Sequence, residues 1–221
     1  MILLYRWFTD ETSTPPAASS AHATYDFEQT VLHELCHGLG FISSWYPWIN
    51  SDSLLPSYPI TDSNGVYLGL GQPYIFNKWL LDDINQIWYY QYADQIMSDA
   101  ASLTTNDYTA WLNNFEATNG YGIAVSLMNN ITITNMRTLY MYPLLQSSLY
   151  QDSISTNSSN TMPDYGFAVL YTPTNFSLGS SISHMDADFY DGSSEFLMRP
   201  FGTPYTALDD YSPMGALGPV E

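Results

Sequence analysis

Residues 33–37 read His33-Glu34-Leu35-Cys36-His37, and they constrain this chain more than any other stretch. On an α-helix, positions i and i+4 lie about 40° apart around the axis. That spacing puts both imidazoles on one face, with the Glu34 carboxylate beside them. A histidine pair of this kind can hold one divalent metal ion, zinc above all, and the adjacent glutamate can reach a water on that ion. The chain has four histidines in 221 residues, so about 0.002 such motifs are expected by chance. The competing reading is a buried helix whose two histidines are simply hydrogen-bonded.

The surrounding residues supply a helix for the motif. Asp26 or Thr24 can cap a helix running over residues 26–39. Val31, Leu32, Leu35 and Leu39 give it apolar positions suited to burial, and Gly38 and Gly40 can end it. Cys36 is the single cysteine, so no internal disulfide forms. It reads as a small packing residue within the motif, with a thiolate ligand as the other option.

Charge narrows the partners. Four Lys+Arg stand against 22 Asp+Glu, a net charge of −18, which repels phosphate backbones and anionic lipid. Nucleic acid is therefore not an expected partner. Apolar runs are far shorter than the roughly 20 residues of a membrane span. Lys78 is the only lysine, and Tyr, Ser, Thr and Asn carry the polarity. With sequons at Asn130, Asn157 and Asn175, this composition suits an extracellular, secreted glycoprotein. Residues 1–6 do not make a signal peptide, so either a leader is expected outside this chain or the sequence begins late. Oligomeric state is not readable.

Along the chain, 10–24 and 45–73 read as loop, and 151–164 as a Ser/Asn-rich surface loop. Phe76, Trp79, Leu80, Ile84, Ile87 and Trp88 form a helical pattern that continues to Met97. A second helix is expected over 107–115. Strands are expected at 123–126, 131–133 and 166–171, and a turn-rich tail from 184 onward. The Trp and Tyr residues between 45 and 175 read first as core and second as a glycan or protein platform.

A catalytic zinc site takes three protein ligands and a water. The short pattern that adds a histidine six residues after the second finds Ser43 there, a poor ligand. Glu116, His22 and His184 are the remaining candidates, with His184 in Ser183-His184-Met185 the strongest. Farther on comes Glu195-Phe196-Leu197-Met198-Arg199-Pro200; Met214 is a second methionine in a turn-like setting.

With these blocks the sequence resembles the leishmanolysin-like metzincin zinc metallopeptidases. That family combines His-Glu-x-x-His-x-x-Gly-Phe with a distant Ser-His ligand and a Leu-Met-x-Pro turn. Secreted relatives carrying His-Glu-Leu-Gly-His-Gly-Leu-Gly-Phe are closer still; their Pro-Tyr-Ile-Phe-Asp is similar to Pro73-Tyr74-Ile75-Phe76-Asn77 here. The resemblance implies an α+β, helix-rich, metzincin-like zincin domain over 1–221, with a long insertion at 45–175 between the second and third ligands. It implies one catalytic Zn2+ on His33, His37 and His184, with Glu34 as general base and Met198 in the Met-turn. It also implies peptide or protein substrates. The pattern departs from the family in its single cysteine and in its long insertion. An incomplete upstream sheet and C-terminal helix are expected too. A non-catalytic secreted zincin-fold protein that binds glycan or protein is the alternative.

Overall fold

The computed structural model describes residues 6–8, 24–48, 52–82, 84–133, 139–141, 168–190 and 197–202. His22, Asn157, Met214 and the 151–164 loop lie outside them. A short strand β1 (Arg6–Phe8) pairs in parallel with β2 (Thr24–Asp26), which runs directly into helix α1 (Phe27–Gly38). Asp26 caps α1, its carboxylate accepting from the amides of Glu28 (2.8 Å) and Gln29 (3.3 Å).

Helix α1 is not the buried helix that its apolar residues suggest. Phe27, Val31, Leu35 and Leu39 are exposed, Leu39 by 89%, while Leu32 and Cys36 pack on the core. The exposed residues follow one another at i, i+4 steps, so they make a single stripe on a face other than the packed one. Apolar content alone did not distinguish the two faces.

The segment 45–73, read as loop, contains two hairpins. β3 (Tyr46–Trp48) pairs with β4 (Ser53–Leu55), and β5 (Pro59–Thr61) with β6 (Tyr67–Leu70), all antiparallel. Strands of three or four residues are too short to show an alternating pattern. The second turn is built by Asp62, whose carboxylate accepts from the amides of Asn64 and Val66, with Gly65 at φ 76°.

The continuous helix expected from Phe76 is also corrected. A 3₁₀ turn (Ile75–Trp79) leads into β7 (Leu80–Asp82) and β8 (Ile87–Trp88), and only then does α2 (Tyr89–Ala101) begin. The buried Asp82 explains the break. Its carboxylate accepts from the Ile84 and Asn85 amides, the Asn85 side chain and the Tyr92 hydroxyl. These bonds offer the backbone a turn in place of a helix. Helix α3 (Tyr108–Glu116) falls where expected, capped by Asp107.

Residues 119–133 form helix α4 (Asn119–Ile133) rather than the two expected strands. Asp99 on α2 accepts from the Gly120 amide at 2.6 Å and so holds the start of α4. Ala124, Leu127 and Met128 are buried at i, i+3, i+4 spacing. That helical period outweighs the β-branched residues that suggested strands. A four-stranded antiparallel sheet runs β10 (Ala168–Val169), β9 (Leu139–Met141), β7, β8. The expected strand at 166–171 is represented by β10 and a bridge from Leu170 to Met185.

Aromatic residues of the 45–175 segment build the core. Trp111 is fully buried and stacks on Trp48, Tyr67 and Phe115 at 5.3–5.5 Å between ring centres. Trp45 meets Tyr89 edge-on. Each ring buried to this extent contributes roughly 1.5–3 kcal/mol through lost apolar exposure. The 45–175 segment thus provides many of the buried residues of the core among the described residues.

Candidate metal centre

His33, His37 and His184 come together, each offering a ring nitrogen within 4.8 Å of the others. Their ring centres lie 4.7–5.0 Å apart. Two come from the inner face of α1 and the third from the 177–190 loop. Among the described residues no other histidine, cysteine or carboxylate joins the group. Glu116 ends α3 away from it, and Cys36 is not part of it.

Each ring is oriented by a backbone carbonyl. His33 Nδ1 donates to the Leu197 carbonyl at 2.7 Å, His37 Nδ1 to Phe41 at 2.7 Å, and His184 Nδ1 to Ser180 at 2.9 Å. A carbonyl oxygen only accepts, so each Nδ1 carries a proton, and in the neutral form of such a ring Nε2 is a bare lone pair. The Nε2 atoms of His33 and His184 face one another at 3.2 Å. Neither has a proton to share in this tautomer, so the contact is not a satisfied hydrogen bond. Two lone pairs at that distance repel, a repulsion that a shared cation would relieve. A tetrahedral ion with zinc–nitrogen bonds of about 2.0–2.1 Å separates its ligand atoms by roughly 3.3–3.4 Å. Three imidazoles are a donor set that zinc accepts, and the His33–His184 separation is close to that spacing. A backbone carbonyl behind each ligand histidine is the usual way a metal site fixes ring orientation.

Burial acts on the electrostatics of two of the rings. Burial pushes His184 down to about 4; the Ser180 carbonyl opposes this, and the two neighbouring histidines add to it. Burial also lowers His33, opposed by the Leu197 carbonyl and, more weakly, by the Glu34 charge. Both shifts favour the neutral ring, the form in which an imidazole can bind a metal.

Local sequence explains how His37 is aimed. Helix α1 ends in a Schellman turn: the Gly40 amide donates to His37 and the Phe41 amide to Cys36. Gly40 sits at φ 114°, a conformation that glycine adopts without strain. The turn brings the Phe41 carbonyl back over the helix to meet His37.

The Met198 turn closes the other side. Leu197 supplies the carbonyl for His33, and the Met198 carbonyl accepts from the Met185 amide at 2.7 Å, one residue from His184. Met198 is fully buried. Glu34 is exposed on α1 beside His33. Sequence reasoning missed the three orienting carbonyls, because a backbone group leaves no residue signature.

A cleft of about 760 Å3 lies elsewhere, lined among others by Asp52, Tyr121, Asn129, Asn175 and Phe176. It contains none of the three histidines. Among the described residues no helix is long and apolar enough to cross a membrane.

Comparison with known proteins adds lineage. The chain is 27% identical over 205 residues to uncharacterized protein PB7E8.01 of Schizosaccharomyces pombe, covering 84% of this chain and 33% of that protein. It therefore spans about a third of the length of the curated relative it matches. No solved structure matches. The SPBPB7E8-like family model matches residues 7–221, and the chain belongs to that family.

Proposed function

We propose that this domain is a zinc-dependent metallopeptidase of metzincin-like architecture, with zinc held by His33, His37 and His184. The supporting observation is the 3.2 Å approach of the His33 and His184 Nε2 atoms, each ring being held at Nδ1 by a carbonyl. A bound zinc ion would supply a Lewis acid that lowers the pKa of a ligated water to about 7. Glu34 takes the proton from the attacking water and returns it to the leaving amine. The three carbonyl-anchored histidines keep the metal position fixed while charge develops on the substrate oxygen. Peptide bonds are the proposed target by resemblance to the leishmanolysin-like family. The sequons at Asn130 and Asn175, the latter on an exposed bend, favour a secreted setting.

The direct test is cleavage of unfolded casein by protein treated with a strong zinc chelator and then resupplied with zinc. The expected outcome is loss of cleavage on chelation and recovery with one equivalent of zinc. Cleavage that persists in the metal-free protein contradicts the reading. A second reading, a non-catalytic glycan-binding module, draws on the aromatic and carboxamide lining of the separate cleft. Zinc uptake without casein cleavage, together with binding of neutral oligosaccharides, favours it.

A further inference from the structure

Ser43 occupies the position at which the short zinc pattern would carry its third histidine. Here it does something else. Its backbone amide donates to the Ser183 hydroxyl at 3.1 Å, and Ser183 immediately precedes His184. Its own hydroxyl donates to Asn77 Oδ1 at 3.1 Å and accepts from the Trp45 amide. Asn77 Oδ1 also accepts from the Ser44 amide, and Asn77 Nδ2 donates to the Ser44 hydroxyl at 2.6 Å. Ser44 in turn donates to the Pro56 carbonyl and accepts from the Tyr74 amide. Asn77 and Ser183 are 2% and 4% exposed, so these bonds form out of water, where losing one partner leaves another group unsatisfied.

The network joins three segments distant in sequence: the chain leaving α1 after His37, the 3₁₀ turn of the insertion, and the loop that carries His184. The His184 loop needs such a brace. Ile182, two residues before the ligand, is fully buried and sits at φ 68°, a conformation costly for a β-branched residue. Surrounding structure has to hold it there. The Ile182 amide donates to the Tyr171 carbonyl, and the Ser183 side chain is held by Ser43.

We propose that Asn77 is a positioning residue for the metal centre: acting through Ser43 and Ser183, it fixes His184 against His33 and His37 and thereby sets zinc affinity. This rests on the zinc-site reading above. It assigns the insertion a role in metal binding and explains why a serine stands where the short pattern has a histidine.

The test measures the zinc dissociation constant, by chelator competition, for wild type, Asn77→Ala and Ser183→Ala. Each full-length protein is also checked by thermal melting without metal and by the visible spectrum of its cobalt form. Disturbing an outer-shell partner costs about 10- to 100-fold in metal affinity. The expected result is a loss in that range for both variants, with an altered cobalt spectrum at unchanged metal stoichiometry. Zinc binding by Asn77→Ala within twofold of wild type overturns the proposal. If Asn77→Ala does not fold, Ser183→Ala decides by the same criterion, since it removes only the hydroxyl facing Ser43. Should wild type itself take up no zinc, the site reading fails and this proposal fails with it; wild-type binding that neither variant weakens defeats the proposal alone.

Discussion

Replacing Glu34 with glutamine should lower peptide cleavage by about 10²- to 10⁴-fold while leaving zinc content at one equivalent. The amide keeps the volume and the position beside His33 but cannot accept a proton. Glu34 is exposed on α1 and lies outside the three-histidine group, so its replacement leaves the imidazoles and their carbonyl partners in place. Steady-state cleavage of a casein-derived peptide and elemental analysis of the same sample make the comparison. Loss of zinc together with activity would place Glu34 among the ligands; undiminished turnover would remove it from the chemistry.

The second large effect concerns His184. Its replacement by alanine leaves two ligands from a single helix, too few for the three-ligand catalytic zinc site. Zinc retention after dialysis should fall from one equivalent to near none, and cleavage should fall with it. The cavity has a structural cost too. His184 is 5% exposed and its Nδ1 donates to the Ser180 carbonyl, so the substitution leaves that acceptor without this donor. A melting-temperature drop corresponding to about 1–3 kcal/mol is expected in the metal-free protein. His184→Asn, which retains a polar group near the same place, should recover part of that stability without recovering zinc. Unchanged zinc content in His184→Ala would show that the third ligand lies elsewhere.

The site was far more legible in the sequence than the fold around it. The His-Glu-x-x-His spacing is readable from residue type alone, and the structure places His33, Glu34 and His37 on α1 with the two imidazoles near one another. His184 was found as one of very few histidines in a ligand-like setting, and the structure places it against the other two. The helices with ordinary caps, α1 behind Asp26 and α3 behind Asp107, were also readable. The failures trace to single carboxylates. Asp82 bonds the amides two and three residues on and breaks one expected helix, while Asp99 bonds an amide 21 residues away and anchors an unexpected one. Neither choice appears in apolar periodicity. The exposed stripe of Phe27, Val31, Leu35 and Leu39 makes the same point, because composition cannot say which face of a helix meets the core.

The central claim, three imidazoles on one zinc ion, is most directly tested by X-ray absorption at the zinc edge of the wild-type protein. Three nitrogen neighbours and one oxygen at about 2.0–2.1 Å, with no sulfur, are expected. A sulfur neighbour near 2.3 Å, which would bring Cys36 into the shell, or protein that carries no zinc at all, would contradict it.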